Sequence, residues 1–423
     1  MEGKRILIIA TLDTKGEETL FLRDKIRELG KDTLVLDISM REGIYCQQAD
    51  IPAPEVAEAG GSSLTDIFAS RERAVNTLVM TRGAAAITGR LLREKRIHGV
   101  IGIGGSTGTL IATDVMRSLP FGVPKFMVSS TAALPGMSTR YIGTGDVCLM
   151  HSVIEISGTN ELIQNVIERS ARAICAMAEV PAPEIRTEAG KGKKRIALTM
   201  LGPCEKCASF VRRGLEEKGY QVNGFSAAGV GDRAMEEMIR QGFFDGVVDL
   251  APGGVLEHLV GGMRDAGPLR LEAAGEAGIP QVISTCGLNH ITPAKKSYTE
   301  EHKTRRKYDL DRHRTWLRAS PEELRQAARV MAEKLNKSKG PVKVLIPTKG
   351  WSSVDWPGNP TYDPGEDMIF AEELGKFLKP AIEVRTIAAN LEETAFAREL
   401  LAACAEIFGS KGSEPAFLEG VIR

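Results

Sequence analysis

Residues 98–109, HGVIGIGGSTGT, carry the clearest structural signal in the chain, because an apolar run passes directly into a glycine-rich loop. Consecutive apolar positions are typical of a strand that is buried on both faces of a parallel sheet. A helical pattern of apolar residues follows over Thr109–Ser118. The stretch therefore predicts a strand, a tight turn and a helix, which together form one unit of an α/β fold.

Two further predicted strands begin alike, at residues 4–10 (KRILIIA) and 194–200 (KRIALTM). Amphipathic stretches follow them over Glu17–Leu29 and Ala208–Lys218, and a glycine that can supply a left-handed helix cap stands directly after each. This repeated order of strands and helices predicts an α/β protein with two Rossmann-like subdomains, each with a doubly wound parallel sheet. We expect a ligand cleft between them.

The predicted boundary lies near Val180–Lys194, where prolines and glycines stand among charged residues, as in an exposed linker. The N-terminal subdomain then spans 1–185 and contains the glycine-rich loop. The C-terminal subdomain spans 193–423.

The composition narrows the class of protein. The 423 residues carry 55 Lys+Arg and 55 Asp+Glu, a balance that argues against a general nucleic-acid binder, which needs a basic excess. No apolar run approaches the ~18–20 residues of a membrane span, and the N-terminal run is too short for a signal peptide. Seven cysteines, an odd number, do not indicate a disulfide framework. We expect a cytoplasmic protein without a membrane or nucleic-acid partner.

The glycine-rich loop is the first candidate binding site. Glycines allow backbone N–H groups to close on an anion, and the N-terminus of the following helix adds positive potential. The predicted phosphate-binding residues are Gly104, Gly105, Ser106, Thr107, Gly108 and Thr109. The spacing matches neither a Walker A loop nor the G-x-G-x-x-G motif, so a plain turn capped by Ser106 is the alternative.

A second candidate site follows the first strand, at Asp13, Thr14 and Lys15. Lys15 is a candidate phosphate ligand, and Asp13 is a candidate ligand for a metal ion or a ribose hydroxyl. Both are also candidate catalytic residues. The structural alternative is that Thr14 caps the helix and Glu17 completes a capping box, which does not exclude a ligand role for Asp13 and Lys15.

Small polar residues at other strand ends extend the predicted site, because ligands of open parallel sheets bind beyond the carboxyl ends of the strands. They are Ser129, Thr131 and Asp146, the last as a ligand for metal or sugar. A turn aspartate is the alternative for Asp146. In the second half, Arg233 is interpreted as an anion ligand or as a solvated arginine at a helix start.

Residues 291–320 are polar and locally basic, with nine Lys and Arg between Lys295 and Arg318. The default interpretation is a solvated surface segment, and the sharper one is a lid over an anionic ligand. Lys349 and Trp351, after a later strand, are candidates for closing the same cleft.

Three cysteines are candidate metal ligands. Cys204 and Cys207 form a single C-x-x-C after a predicted strand, and Cys286 ends another strand with His290 nearby. Thiolates bind zinc or iron–sulfur clusters, and such a turn also supports thiol redox chemistry. The second ligand pair of a structural zinc site is missing, so ordinary buried thiols are the alternative.

Several motifs, taken in this order, resemble an ATP-binding family typified by the tomato protein that inhibits tobamovirus RNA replication. They lie at residues 10–17 (ATLDTKGE), 104–109, 124–129 (PKFMVS), 229–235, 261–274 and 339–363. This sequence departs from the family pattern at Gly202–Cys207, Asp249–Gly254 and Cys286–His290, so we expect a different ligand in the second half.

The resemblance implies two Rossmann-like subdomains, ATP as the ligand together with Mg²⁺, and a homodimer. It assigns Asp13, Lys15 and the 104–109 loop to the ligand site, and it implies no particular reaction. The expected function is an ATP-dependent enzyme that acts on a small polar metabolite. The alternatives are a non-catalytic, nucleotide-gated module that binds another protein, and a thiol or metal enzyme that uses Cys204, Cys207 and Cys286.

Overall fold

Two parallel sheets organise the chain, one in each of two units, Met1–Glu184 and Ile185–Arg423. The structure, a computed structural model, describes residues 3–41, 43–183, 192–312 and 314–409. Most of the predicted linker lies outside the described residues.

The first unit contains a five-stranded sheet. Its strands are β1 Arg5–Ala10, β2 Asp32–Asp37, β3 Gly99–Gly104, β4 Lys125–Ser129 and β5 Cys148–His151. They are ordered β2-β1-β3-β4-β5, and every neighbouring pair is parallel. The strand order reverses between β1 and β3, and this switch point is where sheets of this order bind ligands.

Helices cover both faces of this sheet. They are α1 Leu12–Glu28, α2 Ala53–Ala59, α3 Leu64–Ala69, α4 Arg73–Arg93, α5 Ser106–Arg117, α6 Met137–Ile142 and α7 Glu161–Met177. Successive residues of β1 point to opposite faces: Ile6 and Ile8 enter the core beneath α1 and α7, whereas Leu7 and Ile9 enter the core beneath α4 and α5. Burial on both faces explains the uninterrupted apolar run of the sequence.

The second unit contains a six-stranded parallel sheet and a small antiparallel sheet. The strands are β6 Arg195–Met200, β7 Gln221–Ser226, β8 Gly246–Asp249, β9 Gln281–Ile283, β10 His290–Ile291, β11 Lys307–Asp309, β12 Thr315–Arg318, β13 Val342–Pro347 and β14 Glu383–Ile387. The large sheet has the order β14-β13-β9-β8-β6-β7, and the small one β10-β12-β11. Parallel pairing holds throughout the large sheet.

The helices of the second unit again lie on both faces of its large sheet. They are α8 Glu205–Glu217, α9 Val230–Arg240, α10 Gly254–Val260, α11 Ala273–Ala277, α12 Glu300–Thr304, α13 Pro321–Leu335, α14 Pro364–Phe377 and α15 Thr394–Phe408. The packing of α8 with α15 forms one core, and α13 with α14 forms another. Within the described residues, no helix combines the length and the hydropathy needed to cross a bilayer.

The predicted fold class is confirmed, because each unit has a parallel sheet with helices on both faces. The segment 291–320 is exposed or half-buried over residues 294–312, as expected of a solvated stretch, and departs from that prediction at its ends. It forms most of the antiparallel sheet, and all four residues of β12 are buried.

Candidate functional site

A cavity of about 620 Å³ opens at the carboxyl edge of the first unit's sheet, at the switch point between β1 and β3. The loops after these two strands line it, together with the connection between α3 and α4. Of the residues predicted from sequence, the cavity brings together Asp13, Thr14, Lys15, Gly105, Ser106, Thr107, Gly108 and Thr131.

The N-terminus of α5 faces this cavity. Gly105 is its N-cap residue and has no side chain to cap the helix, and no acidic residue stands in its first turn. The first helical bond runs from the Thr109 N–H to the Gly105 carbonyl, at 2.8 Å. No acceptor among the described residues binds the N–H groups of Ser106–Gly108. These donors and the helix dipole make the site suitable for an anion.

The N-terminus of α1, by contrast, is satisfied from within the unit. Asp37 Oδ1 accepts from the Leu12 N–H at 3.1 Å, and Ser39 Oγ accepts from the Asp13 N–H at 2.9 Å. The predicted cap by Thr14 is therefore wrong: Asp37, at the end of β2, lets the helix begin at Leu12 with Thr11 as its N-cap residue. Glu17 accepts instead from the Thr159 hydroxyl, at 2.5 Å.

Four cationic side chains line the cavity, Lys15, Arg41, Arg71 and Arg73, against two carboxylates. Arg73 donates from Nη2 to Thr107 Oγ1 at 2.8 Å, in the first turn of α5. Within the described part of the chain, neither Arg71 nor Arg73 has a carboxylate partner. The cavity therefore has an excess of positive charge at the helix terminus.

The two carboxylates are Asp13 and Glu155. The Asp13 Oδ2 atom lies 3.7 Å from Arg41 Nε, and burial raises the pKa of Asp13 against the opposing effects of Thr14 and Arg41. The Glu155 Oε1 atom lies 3.7 Å from Lys15 Nζ, which also donates to the Ile156 carbonyl. Sequence reasoning did not identify Glu155.

Three apolar side chains, Met40, Ile67 and Phe68, also line the cavity. The Asn76 amide donates to the Ile67 carbonyl at 2.9 Å and to the Ser70 carbonyl at 3.5 Å. Asn76 thereby holds the connection between α3 and α4 in place beside the cavity. The lining of the site therefore combines cationic and apolar side chains.

Three predicted residues lie behind the cavity and hold its loops. Thr109 Oγ1 donates to Ser129 Oγ at 2.7 Å, and both side chains are buried. At Gly104 a side-chain carbon would lie 3.2 Å from the Gly108 Cα atom, so glycine permits the close turn between β3 and α5. We assign these residues a supporting role rather than direct contact.

The prediction that Asp146 belongs to the same site as the glycine-rich loop is wrong. The turn that contains it precedes β5, at the amino end of the strand, whereas the cavity lies at the carboxyl edge. Its carboxylate accepts from the Gly122 N–H at 2.8 Å and from Lys125 at 2.5 Å. Asp146 therefore pairs with the buried lysine of β4.

In the second unit, the cysteine candidates are buried thiols. Cys204, Cys207 and Cys286 lie in one apolar core, and Cys204 Sγ donates to the Leu201 carbonyl at 3.2 Å. Burial raises the pKa of Cys207 well above its usual range, and hydrogen bonding to Cys204 together with burial does the same for the pKa of Cys286. Among the described residues, no group of three or more His, Cys, Asp or Glu side chains is arranged to hold a metal ion. The geometry does not support the metal and thiol hypotheses.

Trp351 also departs from its prediction. It is fully buried, and its indole nitrogen donates to the Pro347 carbonyl at 3.0 Å, so it belongs to the core rather than to a cleft. Lys349 and Arg233 are exposed.

Several arginines of the predicted lid are already paired within the second unit. Arg305 lies 2.7 Å from Glu323, Arg306 contacts Glu366, and Arg318 contacts Asp367. An anionic ligand would have to compete with these carboxylates for the same guanidinium groups.

Comparison with known proteins gives a family for both halves of the chain. The model described as "Uncharacterised protein family (UPF0261) N-terminal domain" matches residues 4–183, and the corresponding C-terminal domain model matches residues 193–408. A "UPF0261 protein" of Clostridium tetani is 37% identical, with 93% of this chain and 96% of that one covered.

The tomato "ToMV resistance protein Tm-1(GCR237)" (Solanum lycopersicum) is 30% identical, and the match covers 95% of this chain but only 56% of the tomato protein. The resemblance to the tomato protein is thus confirmed at the level of the family. Among solved structures, the glycosyltransferase SnogD from Streptomyces nogalater aligns over 95% of this chain and 99% of that chain, at 14% identity and a TM-score of 0.22.

Proposed function

The chain belongs to the uncharacterised family UPF0261, and we propose that its first unit binds a nucleotide, with the phosphates at the N-terminus of α5. The observation that carries the proposal is the uncapped first turn of α5, which faces a cavity lined by lysine and arginine at the switch point of the sheet. Backbone donors, helix dipole and cationic side chains there favour the same chemical group, a phosphate.

The apolar residues of the cavity support a nucleotide over a bare phosphate. Met40, Ile67 and Phe68 would provide a surface for a planar base, with the phosphates bound near Lys15 and Arg73. Asp13 offers an oxygen ligand of the kind that Mg²⁺ accepts beside phosphates. The chemistry that Mg²⁺ would supply is neutralisation of phosphate charge.

We further propose that the nucleotide is ATP and that it drives a reaction on a small polar metabolite. A cytoplasmic homodimer is part of the same proposal, from the cysteine usage and the family resemblance. A nucleotide-gated module that binds another protein would use the same cavity without turnover, so a measurement of phosphate release separates the two.

Substitution of Gly105 by valine tests the site. The backbone at Gly105 has φ −82°, which valine can adopt, and the added side chain would project towards Glu155 and Ser130 in the cavity. We expect Gly105→Val to weaken ATP binding by at least about tenfold, because the branched side chain takes the space of the phosphate. Isothermal titration with ATP, ADP and NADH measures the effect.

Gly375→Val is the matched control, because Gly375 is exposed on α14 in the second unit and a side-chain carbon there meets no neighbour. Its affinity should equal that of the natural protein. Absence of nucleotide binding to the natural protein, or unchanged affinity in Gly105→Val, would refute the proposal.

A further inference from the structure

Glu155 and Ser130 face the same point above the N-terminus of α5. A side-chain carbon built on Gly105 would lie 3.9 Å from Glu155 Oε1 and 3.9 Å from Ser130 Oγ. The Ser130 hydroxyl is buried and has no hydrogen-bond partner among the described residues, although it borders the cavity. Buried hydroxyls normally have partners, so this one points to a group that arrives with a ligand.

A carboxylate at this position needs an explanation, because it stands beside the proposed phosphate site and repels an anion. Lys15, 3.7 Å from Glu155 Oε1, offsets that repulsion. Glu155 is not committed to a structural role: its side chain is 67% exposed, and the cavity gives it access to water. Asp13 is the less accessible carboxylate, since its side chain is only 7% exposed and lies 3.7 Å from Arg41.

We propose that Glu155 is the general base of a phosphoryl-transfer reaction at this site, and that Ser130 positions the reacting groups. This inference rests on the proposed nucleotide site. Neither residue was among the catalytic candidates that the sequence indicated.

In the proposed step, a water molecule lies between Glu155 and the terminal phosphate of a nucleoside triphosphate. The water oxygen forms a bond to the terminal phosphorus, and its proton passes to the Glu155 carboxylate. The bond between that phosphorus and the bridging oxygen breaks, and its electron pair leaves with the nucleoside diphosphate. The hydroxyl of a small polar metabolite would take the place of water in a transfer reaction.

The N–H groups of Ser106–Gly108 bind the phosphate oxygens in this arrangement, and the Ser130 hydroxyl donates to the transferred group. Lys15 Nζ lies 3.7 Å from Glu155 Oε1, so its positive charge offsets the repulsion between this carboxylate and the phosphate. The N-terminus of α5 therefore binds the phosphate, and Glu155 accepts the proton of the attacking water.

Glu155→Gln tests the assignment, because it keeps the shape of the side chain and removes its basicity. With Mg²⁺ and ATP, we expect the rate of phosphate release, kcat, to fall by about 100-fold. The Kd for a non-hydrolysable ATP analogue, measured by titration, should stay within about twofold, since the phosphate contacts remain. Glu155→Asp should recover part of the lost rate. Ser130→Ala should lower kcat by about tenfold without unfolding the protein.

Glu58→Gln is the matched control, because Glu58 is exposed on α2 and does not line the cavity. It should leave both kcat and Kd unchanged. A Glu155→Gln variant with full turnover would overturn the inference, as would one in which kcat and affinity for the analogue fall together, since Glu155 would then be a binding or Mg²⁺ ligand. Binding of the analogue by a natural protein that releases no phosphate would refute the catalytic role alone. Failure of the analogue to bind would refute the nucleotide site itself.

Discussion

The helices α5 and α10 each follow the third strand, in chain order, of a sheet with a similar strand order. The first turn of α5 faces an open cavity, whereas the first turn of α10 faces packed protein. Above α5 lies a cavity of about 620 Å³. Above α10 the chain fills the space itself: a side-chain carbon on Gly253 would lie 2.6 Å from the Gly287 carbonyl oxygen, and one on Gly254 would lie 2.7 Å from Asp232 Oδ2. The same topology thus gives an open helix terminus in one unit and a closed one in the other.

The two units also differ in whether their arginines are paired with carboxylates. In the second unit Arg270 is fully buried and reaches Asp249 at 2.6 Å, Glu236 at 3.1 Å and Asp232 at 3.4 Å. In the first unit Arg71 and Arg73 line the cavity without a carboxylate partner in the described part of the chain. A parallel sheet provides the position of a site, but whether a ligand can bind there depends on which charges the protein has left unneutralised.

The largest effect expected from this contrast is the loss of Arg270. Arg270→Met leaves three carboxylates buried without their cation, which should lower the free energy of unfolding by about 3–5 kcal/mol. Trp316, Trp351 and Trp356 all lie in the second unit, so tryptophan fluorescence during urea unfolding reports on that unit. Arg233→Met, at an exposed arginine of the same unit, should change stability by less than about 0.5 kcal/mol. Equal stabilities of the two variants would show that the buried network is dispensable.

The second effect is a pH dependence of the same unit. Burial raises the pKa of Asp232 to about 6, against the opposing effect of Arg270, whereas the unfolded chain titrates near pH ~3.9. Between these values the folded protein holds a proton that the unfolded chain releases. The free energy of unfolding should therefore fall by about 3 kcal/mol as the pH rises through that window.

Asp232→Asn removes this titration, so its unfolding free energy should depend less on pH than that of the natural protein between about pH 4 and 6. The same fluorescence measurement at several pH values compares the two slopes. Identical slopes would mean that Asp232 is ionised in the folded state throughout this window.

The sequence predicted the parallel sheets well, because strands buried on both faces leave continuous apolar runs such as β1 and β3. It also predicted the loops after these strands as neighbours, since the carboxyl ends of parallel strands meet at one edge. β12 escaped prediction because Thr315 and Arg318 are polar although buried, and Arg318 is held there by Asp367. A local sequence pattern does not reveal an ion-pair partner that lies so far along the chain.

The two arginines that line the cavity, Arg71 and Arg73, were not predicted from the sequence, for a related reason. Arg71 and Arg73 flank Glu72 in a polar turn, a pattern that is common on solvated surfaces. Their position beside α5 depends on the packing of α4 on α2, where Gly83 lies against the Val56 carbonyl so closely that a side-chain carbon would be 1.8 Å from its oxygen. This close approach is tertiary information that neither local sequence contains.

The smallest expected effect comes from Glu392, whose carboxylate occupies a helix N-terminus in the second unit, as an anion is proposed to do at the N-terminus of α5 in the first. Its carboxylate accepts from the Lys206 N–H at 3.3 Å and the Cys207 N–H at 3.1 Å, in the first turn of α8, beside a cavity of about 340 Å³ that Arg213 also lines. Glu392→Ala should cost about 1 kcal/mol, as the loss of a helix cap does. It should also create an anion site, so added sulfate should stabilise the variant more than the natural protein and narrow the difference in unfolding free energy between them. Equal stabilisation of both proteins by sulfate would show that an open helix terminus is insufficient, and that the cationic wall of Arg71 and Arg73 is what distinguishes the first unit.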